Sequence, residues 1–396
     1  MRFVIECLGQ TDGGGRELGV DLVSHAAALG NHAFIVLAPE LPEYMFFGVR
    51  NVEVIAQRKR RSLAARHLFL NWSVVKTCRL LRADALLCLG NLAPRRPSCP
   101  TVVLLHNPYA AYRCAISEGR LTFREKLIEG YRRSWLRWPP RGVQFVVQTE
   151  VMRRRLSSRY NLDPLRFAVI PNRPSVRNED IARGYAAPLG PFTFLCLTRY
   201  YGHKNLEIVV EAMRLLGRYT SRKAKCVFTV SADQHPGARR LIRSIEQYGL
   251  SELISVVGRV QKDRLGEIYR SSDALLMPTL LESYTRTYAE AMSFGVPILT
   301  SDRDFARFLC EDAALYFDPL DANAVARAMA TVIEDADLRG RLAANGRRLL
   351  ERAPTWEQIA AQFVAVLEAA AKGQPISAVA AEFAAATASV GARSEA

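Results

Sequence analysis

Short apolar runs alternate with segments of helical spacing from the first residues of this chain. Residues 2–8 read as a buried strand, the turn Gly13-Gly14-Gly15 follows, residues 18–29 carry a helical pattern, and residues 34–38 supply another strand. Strand, loop, helix, strand is the rhythm of a parallel α/β sheet rather than of an alternating antiparallel one. Runs at 85–89, 101–105 and 144–148 continue the series, and 161–171 reads as the linker strand that closes it. Prolines, glycines and charges crowd residues 173–191. A second series then starts at 192–197 and runs through 226–230, 254–257, 274–277, 297–299 and 314–317. The pattern predicts an α/β protein of two similar domains, with a cleft between them at the carboxyl ends of their strands. Near Pro354 and Thr355 a long helix begins, with Trp356, Ile359, Phe363 and Leu367 spaced along one side. Beyond it the chain is alanine-rich, with Ile376 and Phe383 as its large apolar anchors, and reads as a mobile tail. The expected boundaries are 1–172, a linker at 173–191, 192–353, a helix at 354–371 and the tail at 372–396.

Composition agrees with this division. The chain has 396 residues, 49% of them hydrophobic and 23% charged, enough for two cores and far from disorder or a disulfide-stapled miniprotein. Basic residues exceed acidic ones, 54 against 39, for a formal charge of +15. That excess suggests anionic partners without choosing among nucleic acid, lipid and phosphorylated metabolites. The first residues are unlike a signal peptide and no uncharged apolar stretch reaches spanning length, so a cytoplasmic location is expected, with attachment to the inner membrane face left open. The eight cysteines form no CxxC pair. They predict reduced side chains in or near cores rather than a zinc site or a redox dithiol.

Residues 279–297, TLLESYTRTYAEAMSFGVP, follow an apolar strand and carry a helix over about 285–293. Glu282 lies just before that helix and Glu290 roughly 7 to 8 Å along it from Thr285, so the two carboxylates can touch different parts of one extended ligand. A carboxylate beside a diphosphate is repelled, whereas one beside sugar or ribose hydroxyls satisfies those donors. The helix start, with Ser283, Tyr284 and Thr285, offers backbone N–H groups to phosphate. A solvated helix with an incidental glutamate pair is the alternative. Arg199 and Lys204, on the loop after 192–197, can neutralise a diphosphate or serve as ordinary surface charge. Gly14 and Gly15 permit close approach of a ligand to backbone amides, with Arg16 nearby, although neither GxGxxG nor a P-loop lysine is present. His106 ends a strand where sites are common, and a structural loop histidine is its alternative. His203, Asp233, Arg259 and the hinge residue Asn172 are secondary candidates.

The 282–297 stretch resembles the glutamate, seven residues, glutamate motif of GT-B glycosyltransferases in family 4, with its Ala-Met-x-x-Gly-Val-Pro continuation ending at Gly295 and Pro297. The run from Arg199 to Asn205 is similar to that family's diphosphate loop, with Thr198 and Asn205 where glycines are usual. Ser283-Tyr284-Thr285 replaces the usual Pro-Phe-Gly, and Val-Ser-Ala-Asp stands near Asp233 where relatives place Gly-x-Gly. The resemblance covers about residues 1–371. It implies two Rossmann-like domains facing a central cleft, with the C-terminal helix crossing back to the first. Glu282 would contact the donor hexose and Glu290 the ribose. Arg199 and Lys204 would hold the diphosphate, His106 the hexose, Gly14 and Gly15 the donor phosphate, and Arg259 the nucleotide base.

The implied reaction is metal-independent, retaining transfer of a hexose from a UDP- or GDP-linked donor, with the leaving phosphate taking the acceptor proton. The implied acceptor is a saccharide or polyprenyl-diphosphate-linked saccharide in surface polysaccharide or lipopolysaccharide assembly. A non-catalytic nucleotide-sugar-binding protein and a GT-B epimerase or phosphorylase are the alternatives. Nucleic-acid binding has no compact motif behind it. Aromatics at 123, 131, 135 and 138 interleave with Arg124, Lys126, Arg132, Arg133, Arg137 and Arg141, and Arg58 to Arg61 and Arg153 to Arg155 add basic runs. This mixture suits an anionic lipid surface, or else a helical excursion with core aromatics.

Overall fold

The computed structural model describes residues 1–11, 13–45, 49–58, 63–173 and 190–379. These form two units, Met1–Tyr112 with Phe123–Arg173 and Pro354–Ala396, and Arg113–Thr122 with Pro174–Ala353. The strands of the first are β1 (Arg2–Glu6), β2 (Ala33–Pro39), β3 (Val52–Gln57), β4 (Ala85–Cys88), β5 (Thr101–Leu105), β6 (Gln144–Val147) and β7 (Phe167–Val169). They pair in the order β3-β2-β1-β4-β5-β6-β7, every neighbour parallel. The second unit holds β8 (Phe192–Cys196), β9 (Ala224–Phe228), β10 (Ile254–Val256), β11 (Ala274–Met277), β12 (Ile298–Ser301) and β13 (Ala314–Phe317), in the order β10-β9-β8-β11-β12-β13 and again all parallel.

The central strands are unbroken apolar runs because helices cover both of their faces. Each sheet reverses its direction of winding once, between β1 and β4 and between β8 and β11. In open α/β sheets such switch points open a crevice at the strand ends.

The C-terminal helix Trp356–Ala371 belongs to the first unit. Thr355 accepts from the Gln358 amide while Gln358 returns a bond to the Thr355 N–H, a complete capping box. Trp356, Ile359, Phe363 and Leu367 share one core with Phe3, Ile5, Leu22 and Val23. His32 pairs with Glu368 at 2.8 Å. Ile376, read from sequence as part of the tail, is fully buried in the same core. Phe383 and the rest of the tail lie outside the described residues.

The first helix is Gly13–Ala28, starting five residues before the expected Leu18. Gly14 and Gly15 therefore stand in a helical first turn, not in a loop. A methyl group on Gly15 would fall 2.1 Å from the Gln10 side-chain oxygen, so its smallness makes room for a protein group. Of the aromatics read either as lipid-facing or as core, Trp135 is a core residue, fully buried edge-on against Phe145. The segment Arg113–Thr122 belongs to the second unit although it is flanked in sequence by residues of the first. Arg120 donates to the Gly202 carbonyl at 3.1 Å and to Asn205 at 3.0 Å, and pairs with Glu207 at 2.9 Å. All eight cysteines are free thiols and six of them are buried.

Candidate functional site

In the second unit the chemistry gathers at the β8/β11 switch point. After β8 the chain makes a single turn, Gly202–Lys204, ending at Asn205 in the left-handed region, φ +54°. Asparagine is the residue that tolerates this region best after glycine, which explains how Asn205 replaces the glycine usual in the resembling loop. The loop after β11 binds directly to this turn, since Leu280 N–H donates to the His203 carbonyl at 2.7 Å. Lys204 and Glu282 are thereby brought together, Nζ to Oε1 at 2.5 Å, with side chains only 13% and 8% exposed. Thr279 adds a hydroxyl bond to the same carboxylate oxygen at 2.9 Å.

Burial alone would raise the Glu282 carboxyl. Lys204, His203 and the two hydrogen bonds outweigh it and hold Glu282 below the ordinary carboxylate range. His203 stacks on Tyr201, and burial, aided by Lys204 and opposed by Glu282, pushes its imidazole down to about 4. Lys204 is therefore half of a buried ion pair rather than ordinary surface charge.

The helix after Glu282 is Arg286–Ser293, with Thr285 at its N-cap making no side-chain capping bond. The Thr285 hydroxyl oxygen is buried and without a hydrogen-bond partner among the described residues. An uncapped helix start beside a buried, unpaired hydroxyl is a place where an anion's oxygens would be satisfied. Ser283 is buried and Tyr284 partly so. Past the helix, Gly295 takes φ +66° and closes the C-terminus with Val296 N–H on the Ala291 carbonyl.

Glu290 accepts from the Tyr269 hydroxyl at 3.1 Å, and the Tyr269 ring stacks on Phe294. Tyr269 carried no signal in the sequence. Arg199 is partly buried and, after the Ser231 hydroxyl and local backbone bonds, helps lower the exposed Asp233 carboxyl. Arg259 is exposed just past β10, at the edge of the sheet.

The first unit has its own constellation. His106 directly follows β5 and is framed by Asn91, itself in the left-handed region at φ +63°. Asn91 Oδ1 accepts the backbone N–H groups of His106 and Asn107 at 2.7 and 2.9 Å. That fixes which way the amide points, so Asn91 Nδ2 donates to His106 Nε2 at 3.1 Å and the ring carries its proton on Nδ1. Burial, with Arg132 and Arg66 in support, lowers this imidazole to about 4, leaving it neutral at physiological pH. Asn107 is held by Glu129, which pairs with Arg132. Arg16 pairs with Glu43 at 2.6 Å, and Asn172 is buried with Oδ1 on the Arg173 N–H. Asn91 and the placement of partly buried Arg66 near buried Glu6 were not legible in the sequence. No cluster of three or more potential metal ligands occurs among the described residues.

Two family models divide the chain between them. Glycosyltransferase Family 4 matches residues 13–172 and Glycosyl transferases group 1 matches residues 177–349. The chain is a GT-B fold protein related to these glycosyltransferase families. It is similar to a D-inositol 3-phosphate glycosyltransferase of Xylanimonas cellulosilytica, 27% identical over 175 residues, 43% of this chain and 41% of that one. The chain thus spans about two fifths of the length of that curated relative. Among solved structures of the GT-B fold, HepE of Anabaena in complex with UDP and glucose superposes with TM-score 0.68 at 16% identity, over 93% of this chain and 100% of that one. WaaG, a glycosyltransferase involved in lipopolysaccharide biosynthesis, gives 0.68 at 15%, over 93% and 99%. At these identities the likeness is one of fold. No helix among the described residues of this GT-B chain is long and apolar enough to cross a membrane.

Proposed function

We propose that this protein is a retaining hexosyltransferase that moves a sugar from a nucleotide-diphosphate donor to a saccharide or lipid-linked saccharide acceptor in surface polysaccharide assembly. The observation that carries the reading is the buried Lys204–Glu282 pair at the β8/β11 switch point, beside an uncapped helix start with the unpaired Thr285 hydroxyl. A diphosphate arriving there would draw Lys204 toward itself and find N–H and hydroxyl donors already aimed. Glu282, released from part of its pairing, would accept from sugar hydroxyls. Arg199 would share the developing charge of the leaving group, and Glu290, held by Tyr269, would take the ribose. Neutral His106, a donor at Nδ1, would orient the hexose. Gly14, Gly15 and Arg259 are the outer candidates, for phosphate and base. Fixed cations and helix amides of this kind stabilise a leaving phosphate without reorganising during the reaction.

The reading is tested with a panel of UDP- and GDP-linked hexoses in excess EDTA. Nucleoside diphosphate release that needs an acceptor, with the donor's anomeric configuration kept in the product by proton NMR, is expected. Inverted product, or no release with any donor, would refute it.

A membrane-facing acceptor is favoured by one further feature. Phe123, Leu127 and Trp138 are exposed alongside exposed Arg124, Lys126, Arg137 and Arg141, and Leu68 and Trp72 are exposed on a second helix that His67 ties to Tyr131. Apolar side chains interleaved with cations suit an anionic bilayer surface. Of the runs named above, 59–61 lies outside the described residues. Co-sedimentation with phosphatidylglycerol vesicles that falls with salt is expected, and equal recovery on uncharged vesicles would count against it.

A further inference from the structure

We propose that a cavity at the β1/β4 switch point of the first unit is a carbohydrate subsite, in which Glu6 and Arg66 together bind the hydroxyl groups of a neutral sugar. It rests on the transferase reading, for which it would be the acceptor's seat. The cavity measures about 110 Å³ and is walled by Glu6, Arg66, Leu8, Phe69 and Leu70 among others. One water needs roughly 10–15 Å³ by the same measure, so the space suits a larger polar group.

Glu6 closes β1 and is 1% exposed. Its Oε1 accepts from the Leu8 N–H at 3.0 Å, while its Oε2 is buried with no hydrogen-bond partner among the described residues. Arg66 donates through Nη2 to the Gly90 carbonyl at 3.0 Å, and its Nε is likewise buried and unpartnered. A buried acceptor and a buried donor left unsatisfied on two residues that wall one cavity are costly unless a ligand completes them.

The surrounding backbone is shaped to admit these two groups. A methyl on Gly9 would lie 2.5 Å from Arg66 Nη2. One on Gly90 would lie 2.3 Å from the same nitrogen and 3.3 Å from Glu6 Oε2. Gly90 is not in the left-handed region, so its need for glycine is one of space alone. Burial raises the Glu6 carboxyl against the pull of Arg66, as befits an acid lacking its full set of donors.

The chemistry selects the ligand. A phosphate or carboxylate attracted by Arg66 would be repelled by Glu6. A polyol offers Glu6 a hydroxyl proton and Arg66 a hydroxyl oxygen at once, and its C–H face matches Phe69, Leu8 and Leu70. The π-helical turn Phe69–Val74 supplies two of these apolar walls, a local irregularity often found at functional positions.

The test is ligand-observed NMR of the full chain with the methyl glycosides of glucose, galactose and mannose and, separately, inorganic phosphate. Thermal unfolding and nucleoside diphosphate affinity are followed in parallel. At least one glycoside is expected to bind the wild type and to lose at least about tenfold in affinity in Glu6→Gln and in Gly90→Ala, with nucleoside diphosphate affinity and unfolding temperature close to wild type. No glycoside binding to the wild type, equal binding by both variants, parallel loss of nucleoside diphosphate affinity or fold, or phosphate binding that disappears in Arg66→Met would each overturn the assignment. Failure of the wild type to bind any nucleoside diphosphate would instead strike the transferase reading itself.

Discussion

At the residue scale, the Lys204–Glu282 pair decides most. Two charges this buried are held by each other, and removing one leaves the other uncompensated. Lys204→Met and Glu282→Gln are each expected to destabilise the second unit by about 3–5 kcal/mol. The double variant should recover much of that stability while nucleoside diphosphate release stays abolished. Urea unfolding beside turnover measures both, and additive losses in stability would show that the pair is not coupled. Each partner was legible from its own local motif. Their bond was not, because they lie 78 residues apart and nothing in the spacing makes β8 and β11 neighbours. Tyr269 and Asn91 escaped for a related reason. A tyrosine 21 residues before Glu290 carries no mark of its partner, and Asn91 acts through an orientation that only the fold creates.

At the scale of elements, apolar runs in the sheet centres were readable because burial on both faces demands them. β3, Val52–Gln57, went unread because it lies at the sheet edge and none of its residues is fully buried, so polar positions interrupt the pattern. The first helix was read late because three glycines suggested a loop where they form a first turn. The C-terminal helix was read at both ends, since its start is written in Thr355 and Gln358. Thr355→Ala removes that capping box and is expected to cost about 1 kcal/mol. Because the helix packs into the first core, the loss should appear as a fall of about 2–4 °C in that unit's unfolding temperature. An unchanged midpoint by calorimetry would show that the cap is dispensable.

For the whole molecule, the two units share one arrangement: a parallel sheet that reverses once, with a buried acid and a cation gathered at the reversal, Glu6 with Arg66 in one and Glu282 with Lys204 in the other. Each also carries a histidine pushed down to about 4, His106 in the first and His203 in the second. The consequence for acid stability has a definite sign. An unfolded chain takes up a proton on each imidazole near pH 6.5, whereas the folded chain refuses it until about 4, so the unfolded state binds more protons throughout that window. Stability is therefore full above pH 6.5 and falls as the pH drops toward 4, by up to about 3 kcal/mol for each histidine. Below the ordinary carboxylate range Glu282, depressed by Lys204, adds a further loss of the same sign. His203→Gln should flatten the pH dependence of the second unit's unfolding between 6.5 and 4 and leave that of the first unchanged, as followed by calorimetry across the window. A slope that survives in the second unit would mean that His203 titrates as freely in the folded protein as in the unfolded one, and that the environment drawn here for the Lys204–Glu282 pair is wrong.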